Sequence, residues 1–285
     1  MLHVRDLTAG HRPDTPVVRS VSFHLPTPGV YAIVGPNGAG KTTLLHTLAG
    51  HLRATTGQIV LDGRDLTGLL PHHLARAGVA LAPQGRRLWP SLTVRDHLTV
   101  TRPATGFGFS VDDLFDLFPP LAARRRHHGH QLSGGEQQML TIAHALRTNP
   151  RLLLADEPTE GLSPHIAGQV TAVLRDLPDR GVTVLVALPQ AHTATAVADR
   201  VYALNAGQLS DPPDGHVDLL VGDHRTPSNA HRSSHHEHPS PARRALADHP
   251  RREHHQAGDR SPGNAPNPTD GTTMPPCLIT EANPR

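Results

Sequence analysis

Lysine is nearly missing from this 285-residue chain: its 27 basic residues include one lysine, Lys41, and the rest are arginine. Cysteine is reduced to Cys277, which excludes an intramolecular disulfide and suits a reducing compartment. Aromatic residues make up 3% of the chain, and the formal charge is only +2, too small to imply a polyanionic partner such as nucleic acid. The densest basic run, Arg124-Arg125-Arg126, reads as a solvated helix end or loop. No stretch approaches the roughly 18 apolar residues of a membrane span. The opening MLHVRDLTAG lacks the charged-then-apolar pattern of a signal peptide. If the protein works at a membrane, another chain does the spanning.

What is present is unevenly spread. Residues 1–221 carry regular apolar runs and enough length for a core. Residues 222–285 are mostly Pro, His, Arg, Ser, Asp, Asn and Gly without a period, including His235-His236-Glu237-His238 and His254-His255. Such a composition cannot bury enough apolar surface to offset its ordering entropy, so the expectation is a disordered tail. Its histidines have no fixed metal-ligand spacing.

The lone lysine sits in YAIVGPNGAGKTTLL at 31–45. Val30 to Val34 is short, apolar and β-favouring, which predicts a buried strand. Gly35-Pro36-Asn37-Gly38-Ala39-Gly40-Lys41-Thr42 then completes a G-x-x-x-x-G-K-[ST] pattern, and the segment from Thr42 and Thr43 to Ala49 predicts a helix closed by Gly50. Glycines allow a tight loop whose backbone N–H groups face phosphate oxygens, and the helix N-terminus adds a positive dipole end. Lysine is a slim point charge that can run along such a loop, whereas arginine's planar fork is wider and built for bidentate pairing. Thr42 is placed to offer its hydroxyl to Mg²⁺.

RLLLADE at 151–157 predicts a second buried strand that delivers Asp156 and Glu157 at its carboxyl end, the ligand-binding edge of a parallel sheet. The two carboxylates can divide the work, Asp156 on Mg²⁺ and Glu157 on an attacking water. Between the two elements lies LSGGEQQ at 132–138, where Ser133 caps a helix, Gly134 and Gly135 expose backbone N–H groups, and Glu136 stands three residues after the cap.

In this order, GPNGAGKTT, LSGGEQQ and LLLADEPT resemble the nucleotide-binding domain of ATP-binding cassette (ABC) proteins, over about residues 2–210. The resemblance implies an α/β P-loop NTPase of ABC type, with a mixed, largely parallel core sheet flanked by helices. It also implies an antiparallel β-subdomain from residues 2–23 and 56–62 and a helical subdomain over about 91–131, within which TRPATGFGFS suggests a loop. It implies ATP bound with Mg²⁺ on the 35–43 loop, with Thr42, Gln84 and Asp156 toward the metal and Gln84 and Glu157 toward the water. His11 stands where the adenine-stacking aromatic is expected. Such domains pair head to tail, so Ser133, Gly134, Gly135 and Glu136 would complete the site of a second cassette, either another copy or a related chain. The position of the family's switch histidine, after the apolar run 182–188, is Pro189, which has no side-chain donor.

GRRLWPSLTVRDHL at 85–98 and PTEGLSP at 158–164 resemble the ATPases of branched-chain amino acid importers and their urea and amide importer relatives. That resemblance implies an ATP-hydrolysing subunit on the cytoplasmic face of the membrane, held there by permease subunits and served indirectly by a substrate-binding protein. Two other readings stay open at this point: a non-transport ABC ATPase, and a nucleotide-binding regulator with weak hydrolysis, the latter motivated by Pro189 and His11.

Overall fold

A computed structural model describes residues 1–12, 14–85, 88–101 and 108–210. The expected tail, its histidines, Cys277 and most of the expected TRPATGFGFS loop lie outside the described residues.

Strand β1 (Leu2–Ala9) alternates buried Leu2, Val4, Leu7 and Ala9 with outward polar side chains, the period of a half-buried strand. It pairs antiparallel with β2 (Val18–Leu25) on one side and β4 (Ala54–Leu61) on the other; β5 (Arg64–Asp65) extends β4, giving the order β2-β1-β4-β5. The antiparallel subdomain is therefore present. Strand β4 starts two residues before the expected 56 and shifts register around Gly57, whose φ of 97° only glycine adopts readily.

The second sheet has six strands in the order β10-β9-β3-β8-β7-β6, built from β3 (Val30–Val34), β6 (Val79–Ala82), β7 (Leu152–Asp156), β8 (Thr183–Leu188), β9 (Arg200–Asn205) and β10 (Gln208–Ser210). All pairings are parallel except β9 with β10. β3, β7 and β8 are buried along their whole length, as the unbroken apolar runs require of central parallel strands. Val34 pairs with Leu188 and Asp156 with Ala187. This register brings the loop after Val34, the Asp156-Glu157 pair and Pro189 to one edge of the sheet.

Helix α1 (Lys41–Leu48) leaves that edge beneath the antiparallel sheet, packing Leu44, Leu45 and Leu48 into a core shared with Leu7, Val18, Ile33 and Tyr202. On the opposite face, α3 (Val94–Val100), α4 (Val111–Leu117), α5 (Pro119–Ala123), α6 (Gly134–Leu146) and α7 (Pro164–Asp176) close a second core around Leu98, Leu114, Phe118, Leu121, Leu140 and Val170. The smaller α2 (Pro71–Arg76) and α8 (Ala191–Thr195) complete the described helices. Thr93 with Asp96 and Ser110 with Asp113 form reciprocal capping boxes that start α3 and α4. Arg124 of the basic run pairs with Glu136 at 3.2 Å and Arg125 lies over the Phe115 ring, so two of its arginines serve the subdomain itself.

One contact on this face was not legible in the sequence. His97 is fully buried on α3. Its Nδ1 meets the Thr93 carbonyl at 2.8 Å, so that nitrogen carries the hydrogen, and its Nε2 accepts from the Trp89 backbone N–H at 3.1 Å. The ring thereby ties the segment that follows Gln84 to the helical subdomain, with the Trp89 ring resting on His97 and His144.

Gly35 marks the tightest point between loop and sheet. A Cβ there would overlap the Leu204 carbonyl oxygen on β9 and press on Ala39. Gly38 has open space but a φ of 82°. Gly35→Ala is expected to destabilise the fold by about 3 kcal/mol, the upper end for overpacking against backbone that cannot yield. Gly38→Ala is expected to cost only about 1 kcal/mol of left-handed strain. Denaturant midpoints of the two variants check the difference.

Candidate functional site

The turn from Gly35 to Gly40 is held by Ala39 N–H to Pro36 O at 3.1 Å and anchored to the sheet by Gly207 N–H to Ala39 O at 3.0 Å. Gly40, with a φ of 107°, begins α1 without any side-chain cap, so the first-turn N–H groups have no side chain competing for them. That is the local geometry of an anion cradle. The Lys41 amine lies within it, only 4% exposed, donating to Gly35 O at 2.8 Å and Pro36 O at 3.3 Å and standing 3.4 Å from Glu157 Oε1.

A cavity of about 320 Å³ opens here. Asn37, Gly38, Gly40, Lys41, Thr42 and Thr43 line it together with Gln84, Glu157 and Glu160. A neighbouring cavity of about 530 Å³ shares Val17 and Gly38 with it and is lined by His11. The structure thus brings residues of the 37–43 loop, Gln84, Glu157 and His11 to adjoining cavities. Ser133, Gly134, Gly135 and Glu136 line neither cavity. They form a helix start elsewhere, with Ser133 N–H on Glu136 Oε2 at 2.8 Å and Glu136 N–H on Ser133 Oγ at 3.3 Å. Burial alone would raise the Glu136 carboxyl, but the Ser133 bonds and the Arg124 guanidinium outweigh it and hold it below its ordinary value. Pro189 and His192 are exposed and line neither cavity.

The end of β7, next to Glu157, is electrostatically costly. Asp156 ends β7 with no exposed surface, and neither carboxylate oxygen has a hydrogen-bond partner. Burial pushes this carboxyl up; the Thr42 hydroxyl, at a geometry short of a hydrogen bond, opposes the shift, as do the charges of His46 and Lys41. A buried carboxylate with two orphaned oxygens beside a hydroxyl fits a hard divalent cation that takes oxygen ligands. Among the described residues no set of three or more His, Cys, Asp or Glu side chains could hold a metal ion. Most oxygens around such a cation would then come from phosphates and water, the usual state of Mg²⁺.

Glu157 is also pushed up, first by burial and further by Glu160, against the pull of Lys41. Its φ of 47° turns the chain, and Glu160 N–H bonds back to Glu157 O at 3.1 Å. Glu160 thereby reaches the same cavity, where it accepts from Gln84 Nε2 at 2.6 Å. Sequence reading missed this residue as part of the site. The available signal was a third acid spaced one turn beyond Asp156-Glu157.

A protein-family model described as ABC transporter matches residues 18–160. The chain belongs to the ABC transporter ATP-binding family. The high-affinity branched-chain amino acid transport ATP-binding protein BraG of Pseudomonas aeruginosa is 38% identical over 195 residues, covering 67% of this chain and 84% of that protein. The lipopolysaccharide export system ATP-binding protein LptB of Acidithiobacillus ferridurans is 34% identical over 199 residues, covering 68% and 82%. Among solved structures, a dimeric post-hydrolysis ATP-binding cassette bound to ADP and Pi overlays with a TM-score of 0.64 at 23% identity, covering 74% of this chain and 97% of that one, a likeness of fold. The chain is an ATP-hydrolysing P-loop ATPase. No helix among its described residues is long and apolar enough to cross a membrane.

Proposed function

We propose that this ABC ATPase powers an importer of branched-chain or related amino acids, working on the cytoplasmic face of the membrane through permease subunits. The observation that carries the proposal is the 38% identity to BraG, supported by the resemblance of GRRLWPSLTVRDHL and PTEGLSP to that group. The similarity to an exporter ATPase makes the substrate the point to test. The test is ATP turnover in vesicles holding the chain with its permeases. Turnover that rises with an amino-acid-loaded binding protein supports the proposal; turnover that responds only to a lipid substrate removes it.

In this reading the backbone N–H groups of the 35–43 loop and Lys41 hold the phosphates of ATP, and His11 flanks the base. Thr42, Gln84 and Asp156 would hold Mg²⁺, which would supply charge neutralisation to the phosphates. Glu157 orients the water and accepts its proton as ADP and phosphate separate. Ser133 to Glu136, which line neither cavity, would complete the site of a second cassette in a head-to-tail pair.

The partner is a related chain, and the cradle of this one is the slower of the two, since Pro189 offers no γ-phosphate donor. In the assembled pair, Glu157→Gln here is expected to lower total turnover less than twofold, while the equivalent change in the partner lowers it about 100-fold or more, a typical loss for a catalytic base. Steady-state ATPase of the two singly substituted pairs checks this. The reverse ranking would sink the asymmetry.

A further inference from the structure

Glu160 is the second acidic side chain, after Glu157, to line a cavity meant for a polyanion, and neither the motifs nor the proposed mechanism gives it work. Charge alone makes it unwelcome there: a carboxylate beside the place of a terminal phosphate repels it. Its contacts suggest what offsets that repulsion. The Gln84 amide nitrogen carries two hydrogens, and it stands 3.1 Å from Glu157 Oε2 and 2.6 Å from Glu160 Oε2. Each carboxylate takes one hydrogen, so both donors of the amide are consumed.

The orientation of an amide is settled by its partners. With the nitrogen facing Glu157 alone, a rotation that turned the carbonyl oxygen inward would lose one hydrogen bond. With Glu160 also present, the same rotation sets the oxygen against two carboxylates, one of them at 2.6 Å, and loses two charge-assisted bonds. The amide is held with its nitrogen on the acids, which leaves its carbonyl oxygen as the group available to the remaining space. An oxygen is what a hard cation or an attacking water needs from Gln84; an N–H₂ group in that place could serve neither as ligand nor as proton acceptor.

The backbone is built to deliver this contact. Glu157 sits in the left-handed region and Glu160 N–H closes a turn on Glu157 O, so Glu157 and Glu160 present their carboxylates on the same side of the turn. Gln84 approaches from the far end of β6, 73 and 76 residues away in sequence from its two acceptors. Pro189 and His192 do not line this cavity; the side-chain network described in it joins Gln84, Glu157 and Glu160, with the Lys41 amine 3.4 Å from Glu157 Oε1.

We propose that Glu160 is a positioning residue of the hydrolytic site: it locks the Gln84 amide with its oxygen toward the metal and water, a fixation made at a site whose switch position is proline. The inference rests on the assignment of Gln84 to hydrolysis. It acts through Gln84 and does not itself touch substrate. Glutamine at 160 would keep one carbonyl acceptor for the Gln84 N–H and so preserve most of the lock, while alanine would release it.

The experiment uses the full chain with its partner cassette, the partner carrying its own Glu→Gln change so that turnover at this cradle is what is read. kcat and KM for MgATP and, separately, the dissociation constant of a fluorescent ATP analogue are measured for Glu160→Ala, Glu160→Gln, Gln84→Ala and the Gln84→Ala/Glu160→Ala double variant. The expected result is a kcat loss of about 10-fold for Glu160→Ala, the scale for misplacing a catalytic group, with nucleotide affinity and KM changed less than twofold. Glu160→Gln is expected to restore kcat to within about threefold of the parent, and the double variant to be no slower than Gln84→Ala, as for two residues acting as one unit. Additive losses in the double variant overturn the proposal, as does an unchanged kcat in Glu160→Ala beside a damaged Gln84→Ala. A tighter nucleotide affinity with unchanged kcat would instead mark Glu160 as mere repulsion and also overturn it. If Gln84→Ala itself turns over normally, the assignment of Gln84 falls, and this inference with it.

Discussion

Replacing Lys41 by arginine is expected to lower ATP hydrolysis about 1,000-fold, roughly 4 kcal/mol of transition-state stabilisation, even though the charge is kept. Lys41 has 4% of its side chain exposed and donates to Gly35 O and Pro36 O, beside Glu157 Oε1. Three rotatable donors on a narrow stem fit that channel, and the same stem can redirect them from loop carbonyls to phosphate oxygens. A guanidinium is broader, planar and donates in a fixed fork, so it must either push the loop away from β9 or leave the channel. The loop cannot yield easily, because Gly35 already lies against the Leu204 carbonyl. Nucleotide affinity is therefore expected to fall together with kcat, measured by fluorescent ATP titration and steady-state turnover. If Lys41→Arg kept more than a tenth of the parent rate, charge and not shape would be the reason a chain of arginines retains one lysine.

Asp156→Asn should move stability and activity in opposite directions. In the nucleotide-free chain the Asp156 carboxyl is buried with two unpartnered oxygens, and removing its charge is expected to stabilise the fold by about 1–2 kcal/mol at neutral pH, a modest share of the cost of burying an uncompensated charge. The pH dependence has a definite sign. Burial raises the folded-state proton affinity of this group above its ordinary value, so its contribution is favourable below the ordinary aspartate range and is lost as pH rises through the raised folded value. The advantage of asparagine should accordingly vanish on acidification, when the parent becomes neutral too. Thermal midpoints of parent and variant across pH, without Mg²⁺ or nucleotide, check this. Adding Mg²⁺ and ADP should stabilise the parent more than the variant, and hydrolysis in the variant should fall about 100-fold or more, the scale of losing a charged group that serves the transition state. A variant that melts lower than the parent in the cation-free, nucleotide-free state would count against the frustrated-carboxylate account.

The strands and the phosphate loop were legible for reasons that are local. Five apolar residues before a glycine-rich turn permit little besides a buried strand, and the spacing of Gly35, Gly38, Gly40 and Lys41 is set by backbone sterics within the loop itself. Asp156 and Glu157 could be placed because a parallel strand of known direction ends on them. The reciprocal Ser133–Glu136 cap was equally readable from its three-residue spacing. What escaped depends on long closures. Glu160 joins the site only because a left-handed Glu157 folds the chain back toward Gln84, in the turn after the distant strand β6. His97 looks like any other of the 23 histidines, and its burial under Trp89 is decided by packing between α3, α6 and the segment after Gln84. His11 was placed by resemblance, and its cavity joins the phosphate cradle through Gly38 of the motif and Val17, a residue that no motif marks.

The burial of Lys41 has a consequence for the chemistry of the whole surface. Since the chain has no other lysine, its only side-chain amine is the one closed off at 4% exposure in the cradle. Reagents that acylate amines find an otherwise inert protein, apart from the α-amino group. Their rate of attack at Lys41 would report how often the loop opens, and nucleotide would slow that clock by covering the amine. Read at Lys41 alone, apart from the α-amino group, the folded molecule thus carries a natural reporter of its own cradle, with no need to engineer one.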